Sequence, residues 1–245
     1  MHFLSDLWRG GLAGLVVGVA LWTALPAPVQ AAKLSDELLS ESFRRVVFKE
    51  EFSSSKSKKG QIKRYVTPVR FYIDNRAKKN RTRAVSRFVL NLNRLIEGLE
   101  TSIVSSRKDA NFTVFVVDRA DYANVVRSFI YRRQSAHVPG KCLVHVRSTG
   151  RGIYQSTAVI VSDEGRFLFQ RCLTEEILQG LGPLNDDDSL KYSVFNDRST
   201  YSKFTKHDRY LMNMLYHPAI RPGMREEEAM KLLPQVLQDV RRRLR

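Results

Sequence analysis

Apolar residues along the chain recur at spacings of three and four in some stretches and alternate or run together in others, and this rhythm separates helices from strands. From Ser35 to Phe52, Leu38, Leu39, Phe43, Val46 and Val47 fall on one side of a helix. Val69 to Ile73 alternates as a strand after Pro68. Arg83 to Leu99 places Val85, Phe88, Val89, Leu92, Leu95, Ile96 and Leu99 on one face of a long amphipathic helix that ends near Gly98. Strands follow at Ser102 to Ser105 and Phe112 to Val117, the second a near-continuous apolar run suited to a strand covered on both faces. A short helix over Tyr122 to Tyr131, a turn at Pro139-Gly140 and strands at Cys142 to Val146 and Thr157 to Val161 come next. A turn at Asp163-Glu164-Gly165 leads into helices at Phe167 to Gly180, Lys206 to Tyr216 and Arg225 to Val240, the last expected to kink at Pro234. Strands with one long helix early and helices at the end predict an α+β domain.

The first residues follow another pattern. Arg9 precedes an uncharged run from Gly10 to Leu25, then Pro26, Pro28 and Val29-Gln30-Ala31-Ala32. A positive flank, an apolar core and a small-residue site are the parts of a signal peptide, with cleavage expected near Ala31. The run is short of the roughly 20 residues of a spanning helix; an uncleaved signal anchor is the alternative. No Cys follows the apolar core to carry a lipid. The expected organisation is a signal peptide over residues 1–31, an N-terminal helix and Ser/Lys linker over 32–60, the linker proper being Ser53 to Gly60, and a single domain over 61–245. The expected location is periplasmic or secreted.

Charge adds a hint about partners. Lys and Arg number 41 against 25 Asp and Glu, a net charge of +16, and loss of residues 1–31 removes one Asp and one Arg and leaves that excess unchanged. Its long-range field attracts an anionic envelope polymer or an anionic membrane surface. Basic clusters occur at Lys56, Lys58, Lys59, Lys63 and Arg64, at Arg76, Lys78, Lys79, Arg81 and Arg83, and at Arg241 to Arg245. They fall in loops, with no recognition helix or aromatic platform, so nucleic acid is not an expected partner; solvated faces are their simpler reading. Oligomeric state is not legible.

The two cysteines, Cys142 and Cys172, sit in a chain bound for an oxidising compartment, and a disulfide is the economical reading. It would close a loop of about 30 residues and stabilise the fold by roughly 3–4 kcal/mol on the chain-entropy account. The rival is a catalytic Cys172 with a base such as His145 from the Cys142 segment.

The segment from Cys172 to Pro218 carries the candidate chemistry. Glu175-Glu176-Ile177-Leu178-Gln179-Gly180-Leu181-Gly182-Pro183-Leu184-Asn185 aligns without a gap on the zinc-peptidase pattern H-E-x-x-H-x-x-G-x-x-H. Glu176 takes the general-base position and Gly182 the glycine at which the helix ends and the chain turns. The ligand positions hold Glu175, Gln179 and Asn185, with Asp186 beside them. Downstream, Ser193-Val194-Phe195-Asn196 resembles the Met-turn, with Phe195 in place of the Met. Thr205 and Asp208 form a capping box for a final helix, Lys206 to Tyr216.

The chain thus resembles metzincin-type peptidases over about 45 residues. It resembles more closely a family of secreted bacterial proteins known only as a domain of unknown function, number twenty-nine twenty-seven. The residues that carry the second resemblance are Cys172, Glu175, Glu176, Gln179, Asn185, Asp186, Ser193, Phe195, Asn196, Asp197, Leu215, Tyr216 and Pro218, with Phe43, Phe48, Glu51 and Pro68-Val69-Arg70 nearer the N-terminus. It implies no activity. The first implies a zincin-like fold: a small mixed sheet, a long helix, an active-site-type helix and C-terminal helices.

Glu175 and Gln179 are four apart and share a helix face, the geometry that presents two ligands to one ion. Zinc prefers imidazole or thiolate, and the amides of Gln179 and Asn185 replace them poorly, so zinc is not expected. Calcium accepts carboxylate and amide oxygens and stays open at Glu175, Gln179, Asn185 and Asp186; otherwise no cofactor is expected. The polar face could also simply be bonded to the Ser193 turn. Three functions compete: a peptidase-like module without zinc ligands that binds peptide or an anionic envelope polymer, an active hydrolase using Glu176 with an atypical metal, and a structural subunit of an envelope complex.

Overall fold

In the computed structural model the described residues are 34–49 and 60–245; the expected signal peptide with its Ala31 site, and most of the Ser/Lys linker, lie outside them. Helix α1 (Asp36–Phe48) is followed by β1 (Val69–Asn75), α2 (Thr82–Leu95), β2 (Thr101–Ile103), β3 (Phe112–Val117), α3 (Arg119–Val126), β4 (Cys142–Thr149), β5 (Gly152–Val161), α4 (Arg166–Gln179), α5 (Lys206–Leu215) and α6 (Glu226–Arg243). The strands form one mixed sheet in the order β2-β1-β3-β5-β4. Neighbours pair in parallel except β4, which runs antiparallel to β5 at the edge. The α+β class expected from the sequence is therefore found, with a sheet that is mostly parallel.

Strand β3 is buried at every position, as its unbroken apolar run requires. Its alternate residues serve two cores. Phe112, Val114 and Val116 join Phe71, Ala158 and Ile160 and the apolar faces of α1, α2, α4, α5 and α6. Phe115 and Val117 join Val159, Val161 and α3 on the other face. The large core holds Leu39, Phe43, Val46, Val47 and Phe48 of α1, so the N-terminal helix is built into the same body as the sheet.

Several elements differ in extent from the sequence expectation, each for a local reason. Helix α1 stops at Phe48, where Lys49 turns extended, and residues 50–52 are outside the described part. Helix α2 ends at Leu95 instead of reaching Leu99. There Asn213 of α5 donates to the Leu95 carbonyl at 2.8 Å and accepts from the Glu97 N–H at 3.0 Å, capping the helix from a distant part of the chain. Thr101 is then held by Asn93 and by the Val89 carbonyl, which starts β2 at Thr101. Strands β4 and β5 are longer than expected because they form one hairpin, with a bulge between Arg147 and Ser148. The segment after α3 continues as a π-helical turn over Arg127–Tyr131. Helix α6 runs unbroken through Pro234, which removes only one backbone donor.

Candidate functional site

Helix α4 is the centre of the site. Every residue from Arg171 to Gln179 is buried, charged ones included, because the sheet lies on one side and the segment 185–205 on the other. Cys172 is bonded to Cys142, the first residue of β4, which fixes one face of α4 against the edge strand. No described cysteine is free, so Cys172 offers no thiolate nucleophile. Glu176 lies one turn beyond Cys172 and shares its helix face.

The C-terminal end of α4 is fixed by close backbone packing. The Gly180 carbonyl accepts from the Ser156 hydroxyl of β5 at 2.7 Å, and the Leu181 carbonyl accepts from the Tyr216 hydroxyl at 2.9 Å. At Gly182 the backbone has φ +148, and a Cβ there would lie 2.3 Å from the Lys63 carbonyl oxygen and 2.7 Å from Leu215. Only glycine lets the chain turn there.

Beyond that turn the predicted site residues part company. Asp186 accepts from the Gln179 amide at 2.9 Å on both carboxylate oxygens. Its neighbour Asn185 turns the other way and donates to the Arg45 carbonyl of α1 at 3.2 Å and to the Asp186 carbonyl at 2.8 Å, while its N–H reaches the Val46 carbonyl. The carboxylates that meet are Glu175, Asp186 and Asp197, each with one oxygen within 4.8 Å of the others. Onto this group the chain places Arg171. Its guanidinium lies 3.2 Å from Glu175 and 3.7 Å from Asp197, and it donates to the Asn196 and Ser199 carbonyls at 2.9 and 2.8 Å.

The turn below is held by Asp208, which accepts from the Ser193 hydroxyl at 2.6 Å, from the Val194 N–H and from the Thr205 N–H. The Asp208 N–H returns to the Thr205 hydroxyl and closes the capping box read from the sequence. Phe195 is fully buried, and the Asn196 amide donates to the Asp188 carbonyl.

Electrostatics set the protonation. Burial, with Asp186 and Asp197 nearby, pushes Glu175 up to about 8 despite Arg171. Glu176 is raised well above its ordinary value by burial first and then by Glu175, Asp186 and Asp197. It is 5% exposed, and this burial favours the neutral, protonated form of the carboxyl over the carboxylate that a general base requires. His207 on α5 is buried too; neither ring nitrogen has a partner, and burial draws its pKa down to about 4.

This donor set does not fit zinc: carboxylates and an amide group supply no imidazole or thiolate, and a guanidinium lies among them. As oriented, Gln179 presents donors rather than an oxygen to Asp186, and Asn185 is engaged with α1. An oxygen-loving cation would have Glu175, Asp186 and Asp197 as its first ligands, and would displace Arg171. Sequence reasoning did not assign Arg171 or Asp197 to the site. The first was legible as the residue four before Glu175 on one helix face; the second stood out only among the residues of the family resemblance, after Asn196.

A protein-family model described as "Protein of unknown function (DUF2927)" matches residues 36–235. No curated protein and no solved structure matches the chain.

Proposed function

The chain belongs to the DUF2927 family of unknown function, and from its own residues we propose that it is an exported, zincin-like module that binds an extended peptide without cleaving it. The observation that carries this reading is the engagement of the carboxylates around the former ligand positions by the protein's own groups, Arg171 on Glu175 and Asp197, Gln179 on Asp186. A hydrolytic metal has no imidazole to hold it there, and Glu176, whose burial favours its protonated form, has no activated water to deprotonate.

The neighbouring strand supports a peptide as the partner. Strand β4 ends the sheet, and among the described residues no strand pairs with its outer side. An extended chain can add there through backbone hydrogen bonds. The carboxylates of Glu175, Asp186 and Asp197 disfavour an anionic polymer at the former ligand positions. The zincin-like assignment is supported by the small mixed sheet with one antiparallel edge strand, by the gapless spacing around Glu176, and by the glycine turn at Gly182. Export is supported by the Cys142–Cys172 disulfide, a bond that persists in oxidising compartments.

The test is a mixed peptide library assayed for both retention and cleavage, with zinc content measured by elemental analysis. Retention without cleavage, with or without added zinc, is expected. One zinc per chain together with cleavage that is lost in Glu176→Gln would overturn the reading in favour of a hydrolase.

A further inference from the structure

A concavity of about 970 Å³ lies at the opposite end of α4, lined by residues that follow β1, β3 and β5 and by the facing sides of α2 and α4. It thus opens outside the carboxyl ends of three parallel strands, the place where open α/β sheets bind ligands. Lys78, Lys79, Arg81, Arg87 and Arg166 line it. Among the described residues none of the five makes an ion pair. Its two carboxylates are engaged with backbone, Asp118 accepting from the Lys78 N–H and Asp163 from the Arg119 N–H.

Arg81 is built into position. Its guanidinium donates to the Ser162 hydroxyl at 3.0 Å and to the Ser162 carbonyl at 2.9 Å, and stacks 4.2 Å from the centre of the Phe169 ring. The helix ends agree with the side chains. The other α-helices each carry an acidic residue in the first turn, whereas α2 and α4 carry none; at α2 the Asn80 side chain accepts from the Thr82 N–H at 2.9 Å, and at α4 the N-cap Gly165 supplies no side chain. Five like charges around one hollow repel one another. Guanidinium groups beside the uncapped N-terminus of α4 are suited to a tetrahedral oxyanion.

We propose that this crevice is a binding site for a phosphate-bearing ligand, with the phosphate held by Arg81, Arg87 and Arg166 and the ligand's body lying along the groove between α2 and α4, over Phe88 and Phe169. The site is separate from the former ligand positions, since Arg166 and Glu175 are roughly 14 Å apart along the helix axis, and it stands whether or not the edge of β4 binds peptide. The phosphate can belong to a soluble phosphate ester or to a lipid headgroup.

The experiment titrates the purified protein with glycerol phosphate and inorganic pyrophosphate in one arm. In the other it is titrated with phosphatidylcholine vesicles with and without phosphatidylglycerol. Each arm is run on wild type and on Arg87→Ser/Arg166→Ser, whose side chains are exposed and leave Arg81 and its contacts in place. Binding in the first arm identifies a soluble ester; binding confined to vesicles with phosphatidylglycerol identifies a headgroup. In either case the double variant should bind on the order of tenfold more weakly, with its thermal midpoint unchanged. Equal binding by both proteins, or no binding in either arm, would overturn the proposal. Backbone amide shifts at Arg166, Phe167 and Leu168 on adding pyrophosphate localise the contact and should be absent in the double variant.

Discussion

At its first turn α4 meets Arg81, Arg87 and Arg166, which have no ionic partner among the described residues, whereas its last turns carry Glu175 and Glu176 inside the protein beside Asp186 and Asp197. Both ends oppose the helix dipole, which favours carboxylates at the N-terminus and cations at the C-terminus. A helix shaped for stability alone would carry the reverse pattern. The two ends differ in how the disfavoured charge is handled. The acidic end is neutralised from within, by Arg171 and by retained protons, and the basic end is left for something outside the chain. Exposed charge with no partner and buried charge with an internal partner thus separate a site that awaits a ligand from one that has closed on itself.

The sharpest way to break this comparison is Arg171→Met. If the guanidinium is the internal counter-charge, its loss takes this donor from the Glu175 and Asp197 carboxylates and from two loop carbonyls and should cost about 3–5 kcal/mol in urea unfolding at neutral pH. A loss below about 1 kcal/mol, the size of an exposed pair, would make the two ends alike. Removing the disulfide by Cys142→Ser/Cys172→Ser should cost about 3–4 kcal/mol for a loop of this length. It should also loosen β4 from the acidic end while leaving pyrophosphate binding at the basic end unchanged.

The pH dependence gives a smaller, signed effect. Glu175 has its pKa raised from 4.5 to about 8. The folded state therefore holds a proton that the unfolded chain has released, and stability falls as pH rises from 4.5 to 8. Glu176 acts in the same direction. His207, lowered from 6.5 to about 4, acts oppositely: the unfolded chain takes up a proton first, and stability falls as pH drops from 6.5 to 4. The two slopes overlap and oppose each other between pH 4.5 and 6.5; above 6.5 only the carboxyl slope remains, so the thermal midpoint should fall from pH 6.5 to 8, and Glu176→Gln should raise it at pH 8 by roughly 2–4 °C for each kcal/mol gained. A midpoint that climbs steadily from pH 6.5 to 8 would contradict the acidic end as described. The smallest effect is expected at the basic end, where Arg87→Ser/Arg166→Ser should change stability by no more than about 0.5 kcal/mol.

Features governed by local chemistry were legible in the sequence. The apolar run of β3, the cysteine pair, the Thr205–Asp208 box and the shared face of Glu175 and Gln179 each follow from neighbouring residues or from simple counting. What was hidden depends on partners far along the chain. Nothing near Leu95 announces that Asn213 will cap α2 there. Spacing does not tell that Asp186 turns toward Gln179 while Asn185 turns toward α1. Lys78, Lys79 and Arg81 stood out as one basic cluster, but only the parallel order of β1, β3 and β5 brings Arg87 and Arg166 beside them.

Strand β4 is fastened covalently at both ends, by the hairpin turn into β5 at one and by the Cys142–Cys172 bond into α4 at the other. An outermost strand tied only by hydrogen bonds peels when a chain paired to it is pulled. With both ends tethered, the load passes into the sheet and α4, and the bonds to the partner become the weakest link. An extended peptide bound along this edge, as proposed, would then be torn away under tension and recaptured while the strand kept its shape.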